Sequence, residues 1–309
     1  MIKISNETYK IIQQMPNPKM AEKDYLECLI LDMLFNDSYF QDNFVFAGGG
    51  SITKSYTFCR RIGQDIDLAC ADFDDIPDNR SGKQLQKFKK NFKTFVFDVL
   101  APKINYIINT GNQFKIITDR EWSALVNKEQ YLASPTLHML YTSKFSMDIG
   151  RLDIEIIPRI YKPDTITHRS VVPYSINQKI GDIPTVRYEQ TFWDKVYALH
   201  SNAQSTKPHT SHCFSRHYYD VAKLAQHVQI NETQNMLFDI ERHQQKYTQK
   251  NIEPLKTTHN VQLLPSSNIT TDKLAQDYSE ITSESFDAME SWSDIVSKLK
   301  TLNQNLKTL

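Results

Sequence analysis

A strand-length run in which carboxylates alternate with apolar residues, Gln64-Asp65-Ile66-Asp67-Leu68-Ala69-Cys70, constrains this chain more than any other feature. The period of two puts Asp65 and Asp67 on one face of a strand, about 7 Å apart along the backbone, with Ile66 and Leu68 on the other. Carboxylates so placed can converge on one cation, and hard oxygen ligands suit Mg²⁺ or Mn²⁺. Just upstream, Phe44–Ala47 is a short apolar run that ends in Gly48-Gly49-Gly50-Ser51. It reads as a buried strand that stops at a glycine turn, followed by a short helix from Ser51 to about Thr57. Such a turn offers phosphates a close approach and backbone N–H donors, and Ser51 adds a hydroxyl. Farther on, Asp153 and Glu155 sit two apart on a strand read over residues 151–158, and either is placed to supply a third acid.

The combination fits metal-assisted transfer from a nucleoside triphosphate, where a cation neutralises the phosphates and an attacking hydroxyl is aligned with them. Two plainer readings compete with it. Any single Asp-x-Asp can be a strand edge with two solvated acids, but a glycine turn with an acidic strand fourteen residues after Ser51 and a second acidic strand beyond is a much rarer set. Gly48 through Ser55 also resembles a Walker A loop, except that Thr53 occupies the place of its final glycine. That glycine lies against phosphate oxygens where the chain turns into the helix, and no later strand ends in a lone Asp as a Walker B would.

The rest of the chain reads as two halves. A helix spans 18–36, where Met20, Tyr25, Leu26, Leu29, Ile30, Met33 and Leu34 recur at three- and four-residue steps. After an acidic turn from Asp72 to Asp78, residues 81–100 form a basic amphipathic helix with Phe88, Phe92, Phe95, Val96 and Val99 on one side and Lys83, Lys87, Lys89, Lys90 and Lys93 on much of the rest. Strands are expected over 103–109, 114–118, 136–142 and 151–158. From Glu189 the period turns helical, through helices marked by Phe192, Val196 and Leu199 and by Tyr218, Val221, Ala222 and Ala225, then 232–250 and 272–307. The boundary is expected near 175–188, with a mixed α/β region before it and helices after it.

Composition narrows the class. With 40% hydrophobic and 11% aromatic residues, the 309-residue chain can bury a core. Its 36 basic residues balance 36 acidic ones, which argues against a protein that coats nucleic acid over its whole surface but leaves room for a local basic patch. Cys28, Cys59, Cys70 and Cys213 are far apart and show no CxxC spacing, so a disulfide framework or zinc ribbon is not expected. No apolar run approaches a membrane span and no signal peptide is evident, so a reducing cytoplasm and no membrane partner are expected.

Gly49-Gly50-Ser51-Ile52-Thr53-Lys54, followed by Arg61-Ile62-Gly63-Gln64-Asp65-Ile66-Asp67-Leu68, resembles the AbiEii-type nucleotidyltransferases. These are toxin halves of AbiE-like toxin–antitoxin systems, include the MenT toxins, and belong to the polymerase-β-like nucleotidyltransferase superfamily. The likeness extends to Thr191–His200, which resembles a third motif built around a lysine, and to Ser215–Val221, which resembles a fourth. Early Met20–Tyr25 and late Asp277-Tyr278 also suit the family. Ser51 stands for a frequent Thr, Gly63 for a frequent Ser, Gln190 for a frequent Arg and Asp194 for a frequent Glu; none of these removes a metal ligand.

The resemblance implies an α+β fold: a nucleotidyltransferase-type mixed sheet flanked by helices over 1–183, then an all-helical lobe over 184–309 that completes an active-site cleft. It implies that Asp65 and Asp67 bind metal, with Glu155 or Asp153 as the third acid. Gly49, Gly50, Ser51, Lys54 and Arg61 would contact the nucleotide, and Lys195 would reach its triphosphate. Asp220 would position the nucleotide or help deprotonate the acceptor. Without the family, Lys195 reads as an exposed helix lysine and Asp220 as a partner of Arg216, four residues earlier. The implied substrates are an NTP and an acceptor hydroxyl, with the 3′ end of tRNA as the expected acceptor and a cognate antitoxin as a protein partner. Transfer to a protein or small molecule, or a quiet nucleotide-binding relative, are the alternatives. Three weaker signals remain. His209, His212 and Cys213 resemble a metal cluster but lie in a polar loop with no evident fourth ligand. The lysine-rich helix could receive an RNA backbone or be a solvated face, and Tyr218 and Tyr219 could stack on a base or pack in the core.

Overall fold

The computed structural model describes residues 4–59, 61–63, 65–71, 73, 81–108, 114–126, 134–210, 213–233, 235–247, 260–283 and 285–308. The acidic turn (apart from Phe73), Gln64, His212 and the ends of several expected elements lie outside these residues. The chain forms two compact units. One runs to Thr57, resumes at Ile62 for the acidic strand and takes in Ser81–Val186; the other holds Phe58–Arg61 and the chain from Arg187.

The first unit is a mixed seven-stranded sheet with helices. The strands are β1 (Phe44–Ala47), β2 (Ile66–Cys70), β3 (Phe114–Thr118), β4 (Thr136–Thr142), β5 (Ile149–Pro158), β6 (Ile166–Val171) and β7 (Ile180–Val186), in the order β3-β4-β5-β2-β1-β7-β6. β2 runs parallel to β5 and β1 parallel to β7; the remaining pairs are antiparallel. The central strands β1 and β2 are buried along their whole length, as strands covered on both faces must be. The helices are α1 (Asn6–Gln13), α2 (Pro18–Phe35), α3 (Ser38–Asn43), α4 (Gly48–Lys54), α5 (Gly82–Thr94), α6 (Ala101–Ile108) and α7 (Asp119–Val126). Pro18 begins α2, where a missing N–H costs nothing, and the Asn17 side chain accepts from the Met20 amide.

Three local readings change. The glycines do not form a turn ahead of the helix; they are its first residues, and Gly48 enters it at φ +65°. Residues 103–108 are helix rather than strand. Ile104 and Ile108 are buried four residues apart, which is the helical period, and Pro102 is tolerated because a π-helical segment, Phe95–Leu100, precedes it and α6 starts anew at Ala101. β6 and β7 were not expected at all. Pro184 lies within β7, between the edge strand β6 and the central β1, and the β6–β7 ladder is irregular between Arg169 and Val171.

The second unit is helical: α8 (Tyr188–Ala203), α9 (Arg216–Leu224), α10 (Ile230–Thr233), α11 (Met236–Tyr247), α12 (Asn268–Ser283) and α13 (Trp292–Lys307). α8 and α9 pack on each other, with Phe192, Trp193, Val196, Leu199, Tyr218, Val221 and Leu224 buried. Tyr218 and Tyr219 are both core residues, 0% and 4% exposed. Among the described residues no helix is long and apolar enough to cross a membrane.

Candidate active site

Strand register builds the acidic site. Ala47 of β1 lies opposite Asp67 of β2, and Asp67 lies opposite Glu155 of β5. Asp65 precedes β2 on the same face as Asp67. One carboxylate oxygen from each of Asp65, Asp67 and Glu155 lies within 4.8 Å of the others. Each like-charged pair at that spacing repels by about 3 kcal/mol at an effective dielectric of ~20. A divalent cation turns that repulsion into attraction, so an all-carboxylate set on adjacent strands fits Mg²⁺ or Mn²⁺.

Asp153 takes another partner. It lies opposite His138 on β4, whose Nδ1 is 2.7 Å from Asp153 Oδ1, and Arg151 stands 3.0 Å from its other oxygen. Of the two acids the sequence offered on β5, Glu155 is the one that joins Asp65 and Asp67.

The glycine segment is shaped around these acids. A Cβ on Gly48 would lie 1.7 Å from Asp67 Oδ2, and its φ of +65° is a conformation that side chains disfavour. A Cβ on Gly50 would meet the Phe46 ring at 3.1 Å and the Asp65 carbonyl at 3.2 Å. Gly49 completes the first turn of α4. Ser51 is fully buried, and its hydroxyl donates to the Gly48 carbonyl at 2.9 Å, so it holds the turn.

Lys54 is not where a phosphate ligand is expected. The residue is 1% exposed, and its ammonium is ion-paired to Asp24 and, at 2.9 Å, to Glu27, both on α2. Asp24 also accepts from the Tyr174 amide at 2.6 Å, and the Lys54 carbonyl accepts from Val172. Lys54 therefore ties α4 to α2 and to the chain between β6 and β7. Burial works against its charge, but Asp24 and then Glu27 outweigh that and keep it protonated. Glu27 is pushed up by burial, which Lys54 and Lys23 only partly offset.

The second unit gathers Arg61, Lys195 and Asp220. Arg61 clamps Asp220 with both arms, Nε to Oδ1 at 2.8 Å and Nη2 to Oδ2 at 2.6 Å. Lys195 Nζ lies 2.9 Å from Asp220 Oδ2 and 3.3 Å from His217 Nδ1. Asp220 is 0% exposed. Burial alone would raise its carboxyl, but Arg61 and then Lys195 hold it well below the usual carboxylate range. His217 is pushed well below the ordinary imidazole value by burial and by the charges of Lys195 and Arg216, so it is neutral and can accept from Lys195. The cluster carries two cations against one anion. Asp277 accepts from the Cys213 and Ser215 amides, at 2.9 and 2.8 Å, and so fixes the start of α9.

Sequence reasoning missed Asp24, Glu27, His138, His217 and the Arg61–Asp220 clamp. Asp24 and Glu27 had a signal: acids three residues apart that adjoin the apolar stripe of Tyr25, Leu26, Leu29 and Ile30. His209 and Cys213 are not part of an acid or histidine cluster of metal-binding spacing among the described residues, where Asp65, Asp67 and Glu155 form the only such group.

A mixed α+β sheet that places three carboxylates beside a glycine-led helix defines a nucleotidyltransferase-type architecture. The chain matches the family described as nucleotidyl transferase AbiEii toxin, type IV TA system, over residues 29–298, and it belongs to that family. Among solved structures it is similar to JHP933 from Helicobacter pylori, at 15% identity and TM-score 0.43, covering 92% of this chain and 91% of that one. A second H. pylori structure, described as a candidate nucleotidyltransferase, is similar at 14% identity and TM-score 0.46, covering 93% and 94%. No curated protein sequence matches.

Proposed function

We propose that the protein is a toxin that transfers a nucleoside monophosphate from an NTP to an acceptor hydroxyl, with the 3′ end of tRNA as the acceptor. The acceptor hydroxyl gives its proton to solvent water as its oxygen bonds to the α-phosphorus, the bond from that phosphorus to the β-phosphate bridging oxygen breaks, and pyrophosphate leaves with the electron pair. Asp65, Asp67 and Glu155 would hold Mg²⁺ or Mn²⁺, and the chemistry supplied by that ion is charge neutralisation on the triphosphate and alignment of the hydroxyl. Gly49, Gly50 and Ser51 form the α4 turn beside those acids, where bare backbone admits phosphate oxygens. Lys195 is assigned to the triphosphate by the family resemblance. Asp220 then acts as a positioning residue that orients Lys195; a carboxylate so strongly held in its ionised form is a poor proton acceptor. Arg61 serves the same end through Asp220, and Lys54 braces α4 rather than touching the nucleotide. Membership in a type IV toxin family implies a cognate antitoxin.

The observation that carries this reading is the convergence of three carboxylate oxygens from β5 and from the β2 segment within 4.8 Å. Purified protein incubated with each labelled NTP, Mg²⁺ and total RNA tests it. Label in tRNA is expected, and it should vanish with Asp67→Ala. Label in protein instead would replace the acceptor, and no label in any fraction would overturn the reading.

A further inference from the structure

The outer face of α5 is a one-signed surface in a chain whose charges balance. Between Asp78 and Asp98 the sequence has no acid, yet it carries Arg80, Lys83, Lys87, Lys89, Lys90 and Lys93. Leu85, Phe88 and Phe92 face the interior, while all five lysines of α5 are exposed. Lys93 is engaged, 3.9 Å from Asp119 and over the Phe97 ring. Lys83, Lys87, Lys89 and Lys90 make no hydrogen bond or ion pair among the described residues.

We infer that this face docks the phosphate backbone of RNA. The choice of RNA rests on the acceptor reading above; the place rests on charge. A face that serves only solubility intersperses acids, because opposite charges at i,i+4 stabilise a helix by about 0.3–0.5 kcal/mol and like charges cost as much. α5 does the reverse: Lys83 and Lys87, Lys87 and Lys90, and Lys89 and Lys93 are like-charged neighbours at helical spacing. Its N-terminus follows the same rule. Ser81 and Gln84 form a capping box in which the side chain at the third position is neutral, and no acid lies in the first turn. An anionic partner relieves every one of these repulsions. Lys83, Lys87 and Lys90 share one stripe spanning about 10 Å at a rise of 1.5 Å per residue, long enough to meet successive phosphates. Lysines neutralise phosphates without reading bases, which suits an acceptor recognised by backbone along its length. Apart from Gly82 the exposed positions of α5 are all polar, so the face has no apolar side chain to insert into a membrane.

The test measures tRNA binding to the full chain, without NTP, across a salt series. Each lost phosphate contact makes the log–log salt dependence shallower by about 0.7–0.9. Changing Lys83, Lys87 and Lys90 together to Gln should therefore flatten the slope by about 2 and weaken binding about tenfold or more at low salt. The same three changed to Arg should keep both. An unchanged slope and affinity in the Gln variant overturns the inference. So does equal weakening by Gln at Lys273, Lys300 and Lys307, or loss of anionic-vesicle binding with RNA binding intact. Label incorporation into RNA, followed in parallel, separates the two readings. Incorporation at limiting RNA that ignores the Gln variant overturns this docking face and leaves nucleotidyl transfer standing. Lysine-dependent binding with no incorporation by the unaltered chain does the opposite.

Discussion

Gly48 and Asp67 occupy space that only a glycine leaves open: a methyl group at residue 48 would stand 1.7 Å from the Asp67 carboxylate oxygen. The same glycine carries φ +65°, which costs a side-chain-bearing residue about 1 kcal/mol before any clash. Gly48→Ala should therefore destabilise the first unit by more than 2 kcal/mol in a denaturant titration and abolish nucleotidyl transfer. Gly50→Ala meets its nearest atoms at 3.1 and 3.2 Å, and should cost less than half as much. Equal midpoints for the two variants would show that Asp67 can move aside.

The partition of the two β5 acids gives a sharper test of the metal set. A ligand that binds only the folded state stabilises it, by about 2.7 kcal/mol at a hundredfold excess over its dissociation constant. Mn²⁺ should raise the thermal midpoint of the unaltered protein and of Asp153→Asn, because Asp153 is engaged by His138 and Arg151. Asp67→Asn and Glu155→Gln should lose most of that rise. A response lost in Asp153→Asn and kept in Glu155→Gln would reverse the assignment.

Lys54 lies deep enough that its removal is a matter of stability. Breaking a buried ion pair from one side leaves uncompensated charge and costs about 3–5 kcal/mol. Lys54→Met, which strands Asp24 and Glu27, should fall in that range by urea unfolding. Adding Asp24→Asn and Glu27→Gln should recover more than half of the loss. No recovery would mean that the lysine contributes through something other than these two carboxylates.

These residues also mark what the sequence conveys. The acidic strand was legible because alternation with Ile66 and Leu68 fixes both the strand and the face that its acids share. Which β5 acid joins them was not, because Asp153 and Glu155 share that face; the answer depends on His138, which comes from β4 and sits opposite Asp153 only through register. Lys54 was misplaced because a lysine after a glycine turn looks the same whether it meets phosphate or Asp24, and the partner lies thirty residues upstream. The run 103–108 misled because Ile104, Tyr106 and Ile108 alternate like a strand, while tertiary packing buries only the two isoleucines. Arg61 and Asp220, 159 residues apart, form a clamp that no local pattern announces.

Asp220 should shape the acid limb of stability. Its carboxyl is held well below the usual range in the folded protein, by Arg61 and Lys195 acting against burial, whereas in the unfolded chain it titrates near about 3.9. The unfolded state therefore binds the proton first. The contribution is complete above the unfolded value and is lost as pH falls toward the folded one. Urea stability of the unaltered protein should decline steadily from about pH 5 downward. Asp220→Asn should be less stable at pH 7 and show a shallower acid slope. Parallel curves for the two proteins would mean that another carboxylate dominates acid unfolding.

His138 predicts the opposite slope on the other side of neutrality. Burial alone would lower its imidazole, but the carboxylates of Asp119 and then Asp153 beside it raise it above the ordinary value. Nδ1 is 2.7 Å from Asp153 and Nε2 3.4 Å from Asp119, so the ring lies between two carboxylates that favour its protonated form. The folded state here holds the proton more tightly than the unfolded one, which titrates near about 6.5. The bridge therefore contributes fully below that value and is lost as pH rises through the folded one. The unfolding free energy of the unaltered protein should fall as pH rises above about 6.5, and His138→Gln should remove that fall. An NMR titration of the His138 ring that gives a midpoint at or below 6.5 would refute the bridge as a charged one.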